Sequence, residues 1–169
     1  MVRQYLPLVL LTALLVPASA EPGQGPPAQQ NPTVQSERVR QGVSHFERAF
    51  YELSPQKRDR EAAQEFDQAI AQFELELKQQ PSSALAHQYL GRIYSLRKNY
   101  KKSAGHYDRL SEIEPLNVDA CVLAALAYGE AGEFAEARVR LTEAKRRTSD
   151  PAALAKINEY LAKADKLIR

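Results

Sequence analysis

Residues able to hold a metal or close a disulfide are scarce in this sequence. It has one cysteine and three histidines among 169 residues. A single cysteine cannot form an intramolecular disulfide. The histidines His45, His87 and His106 include no pair at i, i+4 spacing, and there is no H-E-x-x-H motif, so the sequence offers no ligand set for zinc. It therefore predicts a protein with no structural disulfide, no metal site and no cofactor.

Catalytic motifs are missing as well. There is no G-x-S-x-G nucleophile elbow, no phosphate-binding loop and no arrangement of serine, histidine and aspartate typical of a hydrolase. Carboxylate pairs such as Glu112 and Glu114 are ordinary charges of a helix surface. We therefore expect no catalytic residues and no enzyme activity.

Neither sign of charge is in large excess. The chain has 23 basic and 21 acidic residues, and 22 basic residues remain once Arg3 is set aside. A nearly neutral protein is not attracted as a whole to nucleic acid or to an anionic membrane, so no nucleic-acid partner is expected. The 44% hydrophobic and 26% charged content is that of an ordinary soluble domain.

Two local clusters of basic residues each have a structural and a functional interpretation. One spans Arg97–Lys102 and the other Lys145–Arg147. Cations near helix carboxyl ends favour the helix dipole and keep a surface soluble. The same clusters could meet an acidic partner, an anionic lipid or a polyanionic glycan, and the sequence does not decide between these readings.

The first twenty residues have the features of a secretory signal peptide. Arg3 is followed by an apolar run from Tyr5 to Val16, and Ala18-Ser19-Ala20 offers small residues at the cleavage site. The alternative is a retained anchor, but the run is shorter than the ~20 residues needed to span a bilayer. We predict cleavage after Ala20, no stable membrane span afterwards, and export, to a bacterial periplasm or the extracellular space.

A proline- and glutamine-rich segment, EPGQGPPAQQNPTVQ, occupies residues 21–35. Its prolines and glycines prevent a helix and it has few apolar groups to pack, so it predicts a disordered linker. From Ser36 onward the apolar residues recur at helical spacing. Residues 36–169 are therefore the predicted folded domain.

A pattern within this domain repeats at a constant spacing, the 34 positions that separate Tyr94 from Tyr128. Its first copy is His87-x2-Leu90-Gly91-x2-Tyr94, then Ser103-x3-Tyr107 and Pro115; its second is Cys121-x2-Ala124-Ala125-x2-Tyr128, then Ala137-x3-Leu141. The pattern resembles the tetratricopeptide repeat (TPR), a helix–turn–helix unit that stacks into a solenoid. The resemblance implies an all-α, right-handed helical solenoid that binds other proteins.

The predicted repeats are three hairpins, at about 36–81, 84–115 and 118–148, and a capping helix at 151–168. The first hairpin matches the TPR pattern only in its second half, where Ala69-x3-Phe73 precedes Pro81, and Gly42 is a poor match upstream. Terminal repeats of solenoids are often atypical. Helix starts are predicted at Ser54-Pro55, at Ser83 and at Asp150-Pro151, because each offers an N-cap side chain.

The TPR pattern gives packing roles to residues that could otherwise suggest chemistry. His87 and Cys121 occupy the position of a tryptophan that packs between the two helices of a hairpin. The alternatives are a metal ligand for His87 and, for Cys121, a redox thiol or an intermolecular disulfide. Four tyrosines fall at structural aromatic positions: Tyr94, Tyr100, Tyr107 and Tyr128.

The resemblance also locates a binding surface, because the first helix of each TPR hairpin lines the concave face. The residues expected there are Leu85, Gln88, Arg92, Ser95, Asp119, Val122 and Leu126. The paired lysines and asparagines that clamp C-terminal carboxylates in one TPR subgroup are not found at these positions. The predicted function is a non-catalytic module, an adaptor or assembly factor, that binds a peptide segment or helix; the alternative is a self-associating structural solenoid of the cell envelope.

Overall fold

The fold of this protein is known from a computed structural model that describes residues 36–168. The predicted signal peptide (1–20) and linker (21–35) lie outside the described residues. Within 36–168 the secondary structure is helical throughout, with helices α1 (Glu37–Glu47), α2 (Asp59–Gln79), α3 (Ala84–Leu96), α4 (Tyr100–Ile113), α5 (Val118–Glu130), α6 (Phe134–Arg147) and α7 (Pro151–Ile168). A π-helical segment, Arg48–Leu53, continues α1.

Each helix packs against the next one in the chain, which is the arrangement of stacked hairpins. The pairs α1–α2, α3–α4 and α5–α6 form three hairpins, and α7 lies against α6. This confirms the predicted three hairpins and capping helix for the described part of the chain. None of the helices found in residues 36–168 is both long and apolar enough to cross a bilayer.

The core follows the apolar stripes of the helices. Its largest cluster joins the first hairpin to α3 around Phe46 and Phe73, and another joins the third hairpin to α7 around Leu141 and Ile157. Side chains of this kind stabilise a fold by roughly 1.5–3 kcal/mol each when fully buried. The core therefore holds hairpins to their neighbours as well as joining the helices within each hairpin.

Two of the three predicted helix starts are confirmed. Helix α7 begins at Pro151, and the carboxylate of Asp150 accepts a hydrogen bond from the backbone N–H of Ala153. Ser83 occupies the N-cap position of α3, although its side chain makes no capping bond. Asn99 and Asn117 cap α4 and α5 through their side-chain oxygens.

The predicted helix start at Ser54-Pro55 is wrong. Both the backbone N–H and the hydroxyl of Ser54 donate to the carbonyl of Ala49, at 3.0 and 2.7 Å, so Ser54 ends the first helix. The chain then turns, with Lys57 at a φ of 57°, and α2 begins at Asp59. A serine hydroxyl can cap a following helix or bond back to a preceding carbonyl, and here the second use prevails.

Gly42 fits the repeat, contrary to the sequence prediction. A Cβ added to Gly91 would lie 2.8 Å from the ring of Tyr107, and a Cβ added to Gly42 would lie 2.7 Å from the ring of Phe73. Phe73 and Tyr107 are themselves separated by one repeat period. Gly42 therefore occupies the place of Gly91 in the first hairpin, where only a residue without a side chain admits the ring.

The first hairpin is thus a complete repeat with an insertion. Gly91 precedes Tyr107 by 16 positions, whereas Gly42 precedes Phe73 by 31, so the first hairpin is longer between these points by 15 positions. The additional length forms the π-helical segment, the turn after it and the first part of α2. The insertion moved the glycine out of the repeat period, and this is why the sequence pattern does not reveal it.

Tyrosines tie successive hairpins together at equivalent positions. The hydroxyl of Tyr94 on α3 donates to Glu74 on α2 at 3.3 Å, and that of Tyr128 on α5 donates to Asp108 on α4 at 2.8 Å. The two donors, and likewise the two acceptors, are offset by one repeat period. Arg140 adds a bond to Asp108 at 2.9 Å. These contacts confirm the structural roles predicted for Tyr94 and Tyr128.

Candidate partner-binding surface

The predicted binding residues form two equivalent sets on α3 and α5, which together we call the first-helix face. On α3 the set steps by 3, 4 and 3 residues and on α5 by 3 and 4, which is one side of a helix in each case. Each α5 residue lies 34 positions after an α3 residue. None of the seven is buried: Gln88 and Asp119 are exposed, and the other members are half-buried, namely Leu85, Arg92, Ser95, Val122 and Leu126.

Arg92 packs against the first hairpin. The guanidinium carbon of Arg92 lies 5.0 Å from the ring centre of Phe46 and 4.7 Å from that of Phe50, within the range of a cation–π contact. Within residues 36–168, Arg92 makes no ion pair, and its N–H groups donate no hydrogen bond. Its position is therefore fixed by two rings while its polar edge is unused.

An aromatic cluster surrounds this arginine. Phe46 and Phe50 stack with their ring centres 5.5 Å apart, and Tyr51 meets Phe50 edge-on at 4.9 Å. Tyr89 stacks on Phe73 and meets Phe46 edge-on at 5.0 Å. The contact of Phe46 and Phe50 with Arg92 crosses from one hairpin to the next and has no signal in the sequence.

The α5 half of the surface is more apolar. Val122 packs beside the buried cluster that contains Cys121 and Ala125, and Leu126 lies one helical turn further on. Asp119 is the charged member of this set. A ligand that crosses both helices would therefore meet the cation of Arg92 on α3, and Val122, Leu126 and the carboxylate of Asp119 on α5.

Two histidines that are far apart in sequence meet inside the second hairpin. Nδ1 of His87 lies 3.1 Å from Nδ1 of His106, and Nε2 of His87 lies 3.1 Å from the carbonyl oxygen of Pro81. A carbonyl can only accept, so His87 carries its proton on Nε2 and His106 donates from Nδ1. The predicted packing of His87 between the two helices is confirmed.

Both imidazoles are held in the neutral form. Burial lowers the pKa of His106 to about 4, with smaller effects from His87 and Lys102. Burial also lowers the pKa of His87, while its bond to Pro81 acts in the opposite direction. In the described part of the chain, no group of three or more histidine, cysteine or acidic side chains is placed to hold a metal ion.

Cys121 is fully buried in the third hairpin. A reactive thiol needs solvent access and a nearby positive charge or helix N-terminus. The burial predicted from its position in the repeat is confirmed, and it leaves the thiol a packing role.

The two basic clusters are largely engaged in contacts within the protein. Arg97 donates to Asp67 and to the carbonyl of Ala63, and Lys101 pairs with Glu133. Arg147 pairs with Glu143 and donates to the carbonyls of Ser111 and Pro115, which fixes the loop between the second and third hairpins. These contacts support the structural reading of the clusters.

Comparison with known structures supports the same fold. The chain is similar to the N-terminal domain of stress-induced protein-1 (STI-1) from C. elegans, with a TM-score of 0.54 and 14% identity over 73% of this chain and 97% of that chain. The fold is a TPR-like helical solenoid. At this identity the similarity extends to the fold alone. No family model and no curated protein matches the chain.

Proposed function

We propose that this protein is a non-catalytic protein-interaction module, and that its first-helix face binds an extended segment or a single helix of another protein. A TPR-like solenoid presents such a surface along its first helices, and the similarity to the STI-1 domain supports this class of function. The binding residues are the seven of the first-helix face. We further propose export to the periplasm, where the protein would act as an adaptor or assembly factor.

The observation that carries the proposal is a contrast between equivalent positions of the second and third hairpins. Some positions that pack are similar, as Tyr94 is to Tyr128 and Gly91 to Ala125, and others exchange one buried residue for another, as His87 does with Cys121. Positions on the first-helix face differ in chemistry, since Gln88 corresponds to Val122, Arg92 to Leu126 and Leu85 to Asp119. None of the residues on the first-helix face is buried, so packing does not determine their identity and they are available to specify a ligand.

The substitution Leu126→Glu is expected to reduce partner recovery about tenfold, because it buries an unpaired charge in the interface. Val139→Glu is the matched control, since Val139 is 57% exposed on α6, away from the first-helix face. Partners crosslinked in the native compartment would be counted by mass spectrometry, and circular dichroism would confirm that both variants stay helical. Equal recovery with both variants would rule out the first-helix face as the binding surface.

Self-association is the second candidate function, and exposed apolar residues at the last helix favour it. Leu167 and Ile168 are about half exposed at the end of α7. Sedimentation across a range of concentrations separates the two functions. A monomer at every concentration excludes self-association, whereas a dimer that Leu167→Lys disrupts would support it.

A further inference from the structure

The inserted part of the first hairpin lies beside the first-helix face. Arg97, at the end of α3, donates to Asp67 and to the carbonyl of Ala63, and its guanidinium lies 5.9 Å from the ring centre of Phe66. These contacts fix the carboxyl end of α3 against α2 near the start of that helix at Asp59. The π-helical segment, which supplies Phe50 to Arg92, flanks the same end of α3. Segments of this kind occur often at functional sites.

Exposed apolar side chains border Arg92 in this corner. Tyr51 is 61% exposed and packs edge-on against Phe50, which lies beneath the guanidinium of Arg92. Leu96 is 46% exposed and follows Arg92 by one helical turn on the same side of α3. Exposed aromatic and aliphatic side chains around an arginine are typical of a surface that binds another protein.

Arg92 has no acidic partner in the described part of the chain, although two aromatic rings hold its guanidinium in place. Arg40 pairs with Glu37, Arg48 with Glu65 and Arg97 with Asp67, whereas Arg92 makes no ion pair with any residue in 36–168. The rings of Phe46 and Phe50 fix its guanidinium, so little side-chain entropy is lost when it forms a hydrogen bond. A planar guanidinium with free N–H donors matches the two oxygens of a carboxylate.

We propose that Arg92, Phe50, Tyr51 and Leu96 form a subsite for an acidic side chain that is followed or preceded by an apolar side chain within the bound segment. This inference rests on the proposed function and names the chemistry of its ligand. The carboxylate of the segment pairs with the free edge of Arg92, and the apolar side chain lies between Tyr51 and Leu96. The subsite has one cation, so it binds a single carboxylate.

The first test uses a library of random twelve-residue segments. Each segment is displayed within the chain of a carrier protein, so it has no free carboxyl end. Selection on the purified protein is expected to enrich aspartate or glutamate next to an aromatic or aliphatic residue. Selection on Arg92→Gln is expected to lose the acidic preference, and selection on Tyr51→Ala the apolar one. Arg60→Gln is the matched control and should give the wild-type preferences, because Arg60 is exposed on α2 and belongs neither to the first-helix face nor to the subsite.

The second test measures the pairing directly. A selected peptide, synthesised with both ends blocked, would be titrated against the protein with its acidic residue intact and changed to the amide. Replacing the acidic residue of the peptide by its amide should weaken binding to the wild type about tenfold. It should have no effect on binding to Arg92→Gln, because that variant has already lost the pairing between the peptide carboxylate and Arg92. Thermal melts of each variant would confirm that the fold is intact.

The outcomes separate this inference from the proposed function. Peptides enriched without an acidic residue, or an equal loss of affinity in the wild type and in Arg92→Gln, would overturn the Arg92 subsite and leave the binding module standing. If no peptide is enriched on a folded protein, both the subsite and the proposed function fail.

Discussion

Alanine at Gly42 or at Gly91 is expected to destabilise the protein by about 1–3 kcal/mol, the usual cost of forcing an extra carbon into a packed core. The added Cβ would lie 2.7 Å from the ring of Phe73 or 2.8 Å from that of Tyr107. Both rings are buried and cannot swing aside. Near Gly91, the hydroxyl of Ser103 also donates to the glycine carbonyl at 2.8 Å, which further fixes the two helices.

Gly105 provides the matched control for both substitutions. It lies in the middle of α4, and a Cβ added there meets no atom within 4 Å. Alanine is the better helix former, so Gly105→Ala should stabilise the protein by up to about 1 kcal/mol. Urea unfolding of the wild type and the three variants measures the differences in their free energy of unfolding.

A lower free energy of unfolding in Gly42→Ala and a higher one in Gly105→Ala would confirm the role of Gly42. In the first hairpin it would then pack as Gly91 does in the second. A Gly42→Ala variant as stable as the wild type would contradict the assignment of the first hairpin as a repeat with an insertion. The decisive comparison is between Gly42→Ala and Gly91→Ala, whose free energies of unfolding should fall by similar amounts.

Acidification is expected to remove about 2 kcal/mol of stability through His106, after allowance for the partial solvent contact of its ring. Its pKa in the folded protein is about 4, below the 6.5 of an unperturbed histidine. The unfolded chain therefore takes up a proton first as the pH falls. The stability from the neutral ring is fully present above about pH 6.5 and is lost progressively toward pH 4.

His106→Gln isolates this effect, because glutamine can still donate to Nδ1 of His87 but does not titrate. The free energy of unfolding would be measured by urea titration at about pH 7.5 and 4.5 for both proteins. Wild type should lose about 2 kcal/mol more than the variant between these values. An equal loss in the two proteins would show that His106 titrates at an ordinary pKa and that the buried pair does not form.

The second and third hairpins could be predicted almost completely from the sequence. Their packing positions recur at one constant period, so Tyr94, Tyr128 and the glycine at position 91 identify the helices and the contacts between them. The first hairpin could not be predicted in the same way, because its insertion breaks the period. Its glycine is recognisable only from its distance to the ring of Phe73.

The candidate surface was predictable as a set of positions and not as a set of contacts. The TPR resemblance implied that Gln88 and Arg92 lie on the binding surface of α3, and neither residue is buried. The stacking of Arg92 on Phe46 and Phe50 depends on how two hairpins lie together, and no pattern within either hairpin encodes it. The contact of His87 with His106 lies within the second hairpin, and it was not predicted because helical spacing does not show which side chains of α3 and α4 face each other.

Site-specific photocrosslinking tests the proposed binding surface most directly. A photoreactive residue would replace Gln88 or Asp119, which are exposed on the first-helix face, or Val139, which is exposed on α6. Capture of the same partner protein from Gln88 and Asp119, and of none from Val139, is the expected result. Capture from Val139 but from neither of the other two would contradict binding on the first-helix face, and capture of a second copy of the chain would favour self-association.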